Sequence, residues 1–226
     1  MMLQRPKSRS EEVTMRLRQE IVDGTFELGS ALSETMIATR YNVSRTPVRE
    51  AFAALGIEGL VRTEPQQGTY VFRISNRQFA ALSEVRSIIE MAALRLAYER
   101  SRKALLRQWA RLLRAMREAA ASGDSQGYCR LDGEFHQAIM SLADNPHIIE
   151  AAQSFATKIA AVRNRLGANP EHMKRSLAEH EELVRLLTLN RINSTVELLD
   201  HHIRFKGESF WSGAADWNIS LDTDEE

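Results

Sequence analysis

Ser44-Arg45-Thr46-Pro47-Val48-Arg49-Glu50 is the stretch on which the reading of this chain turns. Ser44 is an N-cap residue type for a helix. Pro47 falls in the first turn, where its missing N–H costs nothing. Arg45 and Arg49 are four residues apart and share one helix face. Val48, Ala51, Phe52 and Leu55 line the opposite face, and Gly59 marks the end. An α-helix fits the DNA major groove, whose base edges carry distinguishable donor and acceptor patterns. Arg45 is suited to pair bidentately with guanine O6 and N7, which discriminates by about 1–3 kcal/mol. Ser44 and Thr46, at the helix N-terminus, suit phosphate oxygens. A bare Arg-x-x-x-Arg is more often a solvated face, here with Glu50 as ion-pair partner. The surroundings decide between the two.

Upstream, Ser33 caps a helix over Glu34 to Tyr41, and Asn42-Val43 is a tight turn into the Arg-bearing helix. An earlier helix is expected from about Ser10 to Asp23, carrying Val13, Met15, Leu17, Ile21 and Val22, with Gly24 ending it. Met15 and Leu17 lie off an ideal stripe. Phe26 to Ser33 reads as a loop with a short strand. Downstream, Leu60 to Thr63 alternates as a strand, Glu64 to Gly68 is turn-rich, and Thr69 to Ile74 is β-branched and aromatic. Three helices, then strand, turn, strand, is the layout of a winged helix-turn-helix. Gly68 permits close backbone approach to DNA, or is an ordinary hairpin glycine.

Ser75-Asn76 marks a boundary. Beyond it helices are expected at about 76–101, 103–122, 127–142, 146–166, 170–188 and 192–210. Short connections make neighbours antiparallel and predict a bundle. The fold class is therefore mainly α: a winged helix-turn-helix over 1–75, an all-α antiparallel bundle over 76–211, and an acidic tail over 212–226. The chain has 226 residues, with Lys+Arg and Asp+Glu both 30, for a net charge of zero. Bulk attraction to nucleic acid is excluded, so any such contact must be local. One cysteine, Cys129, excludes an internal disulfide and a Cys-rich zinc site. No apolar run suits a signal peptide or a bilayer span, which reads as a cytoplasmic protein without membrane contact.

The helical half holds a second constellation. Asp132 and His136 are four residues apart on one helix face. His180 and His202 lie on helices able to face the same core. Three imidazoles and a carboxylate suit a divalent ion (Zn, Ni, Mn or Fe), with positions open for water or a ligand. From the residues alone, Asp–His at this spacing is more often an ion pair, and His201 adjoins His202 as an alternative. A metal-dependent enzyme on a bundle is the competing reading. The paired Glu-x-x-His motifs of a di-iron bundle do not occur, nor does a nucleophile elbow or phosphate loop. A purely architectural DNA binder is a third reading.

The stretch Leu32-Ser-Glu-Thr-Met-Ile-Ala-Thr-Arg-Tyr-Asn-Val-Ser-Arg-Thr-Pro-Val-Arg-Glu-Ala-Phe-Ala-Ala-Leu-Gly-Ile-Glu-Gly-Leu-Val61, followed by Gly68-Thr-Tyr-Val71, resembles the GntR family of bacterial regulators. The resemblance implies a dimer binding a pseudo-palindromic double-stranded operator. It implies that Arg45 and Arg49 read bases, while Ser44, Thr46 and Gly68 contact backbone or minor groove. Gly56-Ile57 departs from the family pattern beyond the DNA contacts. Val85 to Ala97, Leu131-Asp132, His136, Asn145, Glu179-His180 and His202-Ile203 resemble the FCD domain of the FadR-like subgroup. That implies a helical domain sensing a small effector, often a carboxylate, with metal held at Asp132, His136, His180 and His202. The resemblance favours His202 over His201. Arg86 is then either an effector-carboxylate clamp or an ion pair with Glu90 at i+4. Arg163 is a second effector-binding candidate, and Asn145 reads as a helix cap. The expected function is a ligand-responsive transcription regulator.

Overall fold

A capping box opens the first helix: Ser8 Oγ accepts from Glu11 N at 3.1 Å, and Glu11 accepts from Ser8 N at 2.6 Å. It launches α1 (Arg9–Val22), which buries Val13, Leu17 and Ile21 but leaves Met15 exposed. In this computed structural model, residues 8–204 are described, and the chain divides into two compact units between Ile74 and Ser75. The tail over 212–226, and the end of the helix expected to reach residue 210, lie outside the described residues.

The first unit continues with β1 (Ala31–Leu32), α2 (Glu34–Tyr41), α3 (Arg45–Ile57), β2 (Val61–Glu64) and β3 (Gly68–Val71). Asn42, at φ 52°, makes the left-handed turn between α2 and α3. Val48, Ala51, Phe52 and Leu55 are buried, as their spacing requires, and α3 packs on α1. Arg18 of α1 ties to the C-cap residue of α3, through bonds of 2.8 and 2.6 Å to Glu58. The sheet order is β1-β3-β2, all antiparallel, with Val61 opposite Val71 and Glu64 opposite Gly68. β3 ends three residues earlier than its composition suggests. Phe72 N still donates to Leu60 O at 2.9 Å and its carbonyl accepts from Gly29 N at 3.2 Å, after which the chain leaves for the next helix.

The second unit is all helical in its described residues: α4 (Asn76–Ser122), α5 (Ser125–Leu142), α6 (Pro146–Leu166), α7 (Pro170–Thr188) and α8 (Ile192–Arg204). The two helices expected at 76–101 and 103–122 are the two arms of α4, which meet at a kink where Ser101 leaves helical geometry at φ −142°, ψ 28°. α5 begins at Ser125, ahead of the expected 127, because the Asp124 side chain caps Gly127 N at 2.8 Å. Ala93, Leu94, Ala97, Leu105, Trp109 and Met116 of α4 form one wall of the core. Trp109 stacks on Phe135 of α5 at 4.3 Å and donates to the Phe135 carbonyl at 3.0 Å. That pairing fixes α5 so that Asp132 and His136 face inward. No described helix is long and apolar enough to cross a membrane.

Candidate functional site

Two sites emerge, one in each unit. On the first, α3 exposes Arg45 and Arg49 on one face, with side chains 57% and 62% exposed. Their ion-pair partner is Glu34 of α2, not the neighbouring Glu50. Ser44 has N-cap backbone geometry, yet its side chain makes no capping bond, contrary to expectation. Ser44 lines a cleft of about 470 Å³, together with Arg9 and Thr46. Gly68 sits at the hairpin with φ +124°, a backbone shape that favours glycine. Space is not the reason for glycine, since an added Cβ would meet nothing nearer than the Tyr70 ring at 4.0 Å.

In the second unit, Asp132 and His136 of α5, His180 of α7 and His202 of α8 converge. Each offers a ligand atom within 4.8 Å of the others, and all four are buried. His201 points away, with its side chain 56% exposed. The environment settles each ring's tautomer. His136 Nδ1 lies 2.6 Å from Glu90 Oε2, and His202 Nδ1 lies 2.6 Å from Glu179 Oε2. His180 Nδ1 lies 2.7 Å from the Ser176 carbonyl. Carboxylates and carbonyls only accept, so all three Nδ1 atoms carry the proton. In a neutral ring so held, Nε2 is the atom left with a lone pair to offer. Burial pushes the His136 pKa down, despite the opposing pull of Glu90, so that ring stays neutral.

The inward atoms are close. His136 Nε2 and His202 Nε2 are 3.3 Å apart, and His180 Nε2 is 3.4 Å from Asp132 Oδ1. A cation bound among them would be shared by all four side chains. Three imidazole nitrogens plus a carboxylate oxygen, each imidazole anchored from behind by an acceptor, fit a divalent metal.

The remaining candidates sit around this cluster. Arg86 is buried and forms the ion pair with Glu90 at 2.6 Å, the second of its two readings. Its Nη2 nonetheless lacks a hydrogen-bond partner. Arg163 contacts Asp132 Oδ2, so it meets the carboxylate of the cluster itself. Glu90 is the residue that sequence reasoning undervalued: one oxygen meets Arg86 and the other His136. Burial alone would raise its pKa, but Arg86 and His136 outweigh this and hold it ionised below the usual carboxylate range. Its sequence signal was the i+4 spacing from Arg86, which points to the ion pair and not to His136.

A winged helix-turn-helix head followed by an all-α bundle is the architecture of a two-domain bacterial regulator. The chain belongs to the GntR family: residues 9–71 match bacterial regulatory proteins of the gntR family, and residues 81–205 match the FCD domain. It is 36% identical over 135 residues to the HTH-type transcriptional repressor RspR of Escherichia coli (strain K12), an alignment covering 60% of this chain and 59% of that protein. It is 29% identical over 176 residues to the gluconate operon transcriptional repressor of Bacillus subtilis (strain 168), covering 75% of this chain and 71% of the relative. A solved GntR structure from Rhodococcus sp. RHA1 superposes with a TM-score of 0.78 at 26% identity, over 91% of this chain and 99% of that one. E. coli McbR/YncC shares the fold, with a TM-score of 0.76 at 20% identity, over 92% and 99%. The gntR family and both named relatives are transcription regulators.

Proposed function

We propose that this chain is a cytoplasmic, homodimeric transcription regulator that binds a pseudo-palindromic DNA operator and answers to a small carboxylate effector at a divalent-metal site. The observation that carries the DNA half is the division of α3. Arg45 and Arg49 are exposed one turn apart, while Val48, Ala51, Phe52 and Leu55 are buried behind them. Ser44, Thr46 and Gly68 hold the sugar–phosphate backbone. A dimer would place two such heads on half-sites about 34–36 Å apart, one helical turn.

Asp132, His136, His180 and His202 would hold the metal, which supplies a Lewis-acidic anchor for an effector carboxylate oxygen. Glu90, Glu179 and the Ser176 carbonyl fix the rings. Arg86 Nη2 and Arg163 supply cationic hydrogen-bond donors to the same ligand.

Selection of bound duplexes from a random pool, using wild-type protein, tests the reading. The double variant R45A/R49A should lose about thirtyfold or more of its affinity for the selected duplex, as two bidentate base contacts imply. Unchanged affinity would end the assignment. Thermal-shift screening of metal-loaded protein with small organic acids tests the sensor half. Gluconate belongs in that screen because one relative is named for its operon.

A further inference from the structure

Glu34, the first residue of α2, reaches both arginines of α3. Its Oε2 accepts from Arg45 Nε at 2.9 Å and Nη2 at 2.7 Å, and its Oε1 accepts from Arg49 Nε at 2.8 Å. Hydrogen bonds from Arg49 and then Arg45 hold its carboxyl below the usual range, so it is charged at neutral pH. The geometry of these bonds is selective. A guanidinium has five donors in a rigid fork, and bidentate guanine reading uses two. Glu34 engages Arg49 through Nε alone, which spares both terminal nitrogens. It engages Arg45 along the Nε–Nη2 side, which spares Nη1 and one Nη2 hydrogen. The end-on edge of each fork is thus available while the inner edge is held.

The charge balance is equally selective. Two guanidinium groups would attract any phosphate backbone, whatever its sequence. One carboxylate between them halves the net charge of the pair. The chain as a whole is neutral, so no bulk attraction replaces it. We propose that Glu34 is a positioning residue that sets DNA specificity: it splints Arg45 and Arg49 for end-on base reading and suppresses sequence-independent binding. This rests on the reading of α3 as the DNA-contacting helix.

The test compares wild type, E34Q and R45A/R49A on two probes, the duplex recovered by selection and a poly(dA-dT) duplex, across a salt series. E34Q preserves the side-chain shape and leaves the Ser33 cap in place. It should bind poly(dA-dT) more tightly, with the dependence of log K on log salt steeper by about 0.9. The ratio of selected to non-selected affinity should fall about tenfold. E34A should move both quantities in the same direction, which guards against a peculiarity of the amide. If poly(dA-dT) affinity and salt slope stay at wild-type values while R45A/R49A loses selection, the role of Glu34 is wrong and the reading of α3 stands. If E34Q loses only the selected duplex, Glu34 contacts a base itself, such as cytosine N4, and the proposal is overturned. If R45A/R49A keeps its selection, the underlying reading has failed instead.

Discussion

Glu90 concentrates the electrostatics of the helical unit in one side chain. It is 3% exposed and bridges Arg86, on its own helix, to His136, forty-six residues away on α5. A buried pair is weak evidence for net stability, but removing one partner leaves an uncompensated charge. Glu90→Gln should therefore cost about 3–5 kcal/mol in denaturant unfolding, since the Arg86 guanidinium stays buried. It should also weaken metal binding about 10–100-fold, because His136 loses its charged anchor. Glu179→Gln, whose side chain is 18% exposed, should show the metal effect with a smaller stability cost. Equal unfolding midpoints for wild type and Glu90→Gln would refute the bridge. The i+4 relation to Arg86 was legible in the sequence. The bond to His136 was not, because spacing along one helix says nothing of which residue a second helix brings opposite.

Helix ends supply a test at the level of elements. Asn145 Oδ1 accepts from His147 N at 3.1 Å and Ile148 N at 3.4 Å, and Asn169 Oδ1 accepts from Glu171 N at 2.9 Å and His172 N at 3.2 Å. Asn145→Ala and Asn169→Ala should each lower unfolding free energy by about 1 kcal/mol. Ser44→Ala should cost α3 no such amount, because its hydroxyl makes no capping bond. It should instead weaken binding to all duplexes alike, as expected for a backbone contact. A thermal melt and a binding titration on the same three variants separate these outcomes. If Ser44→Ala loses as much stability as the asparagine variants, its hydroxyl does cap the helix in solution. Residue type alone predicted Ser44 and Asn145 as caps, since serine and asparagine share the preference. Whether the side chain turns inward depends on the rotamer, which the sequence does not encode. α4 shows the same limit. The break near residue 102 was legible as a gap between helical patterns, whereas the way α4 turns at Ser101 rests on its packing against α5, α7 and α8, which the sequence does not encode.

Across the whole molecule the two units share one covalent junction, at Ile74–Ser75, and the proposed function requires them to share free energy as well. Metal binding to the native state alone stabilises by mass action, by about 2.7 kcal/mol at a hundred times the dissociation constant. Chelator-treated protein given Zn²⁺, Ni²⁺ or Mn²⁺ should therefore melt at higher temperature. The rise should vanish in H136A/H202A, while folding of the DNA-contacting unit persists, because that unit holds no ligand of the cluster. Stabilisation alone would describe a structural metal. Sensing demands more: if an acid that binds the metal-loaded protein changes affinity for the selected duplex by some factor, that duplex must change affinity for the acid by the same factor. Couplings of this kind span about 5–150-fold, well within reach of a titration run in both directions. An acid that raises the melting temperature yet leaves duplex affinity unmoved would show that the histidine cluster does not report to the DNA-reading helix. The regulator would then be constitutive, however tightly its bundle holds the ion.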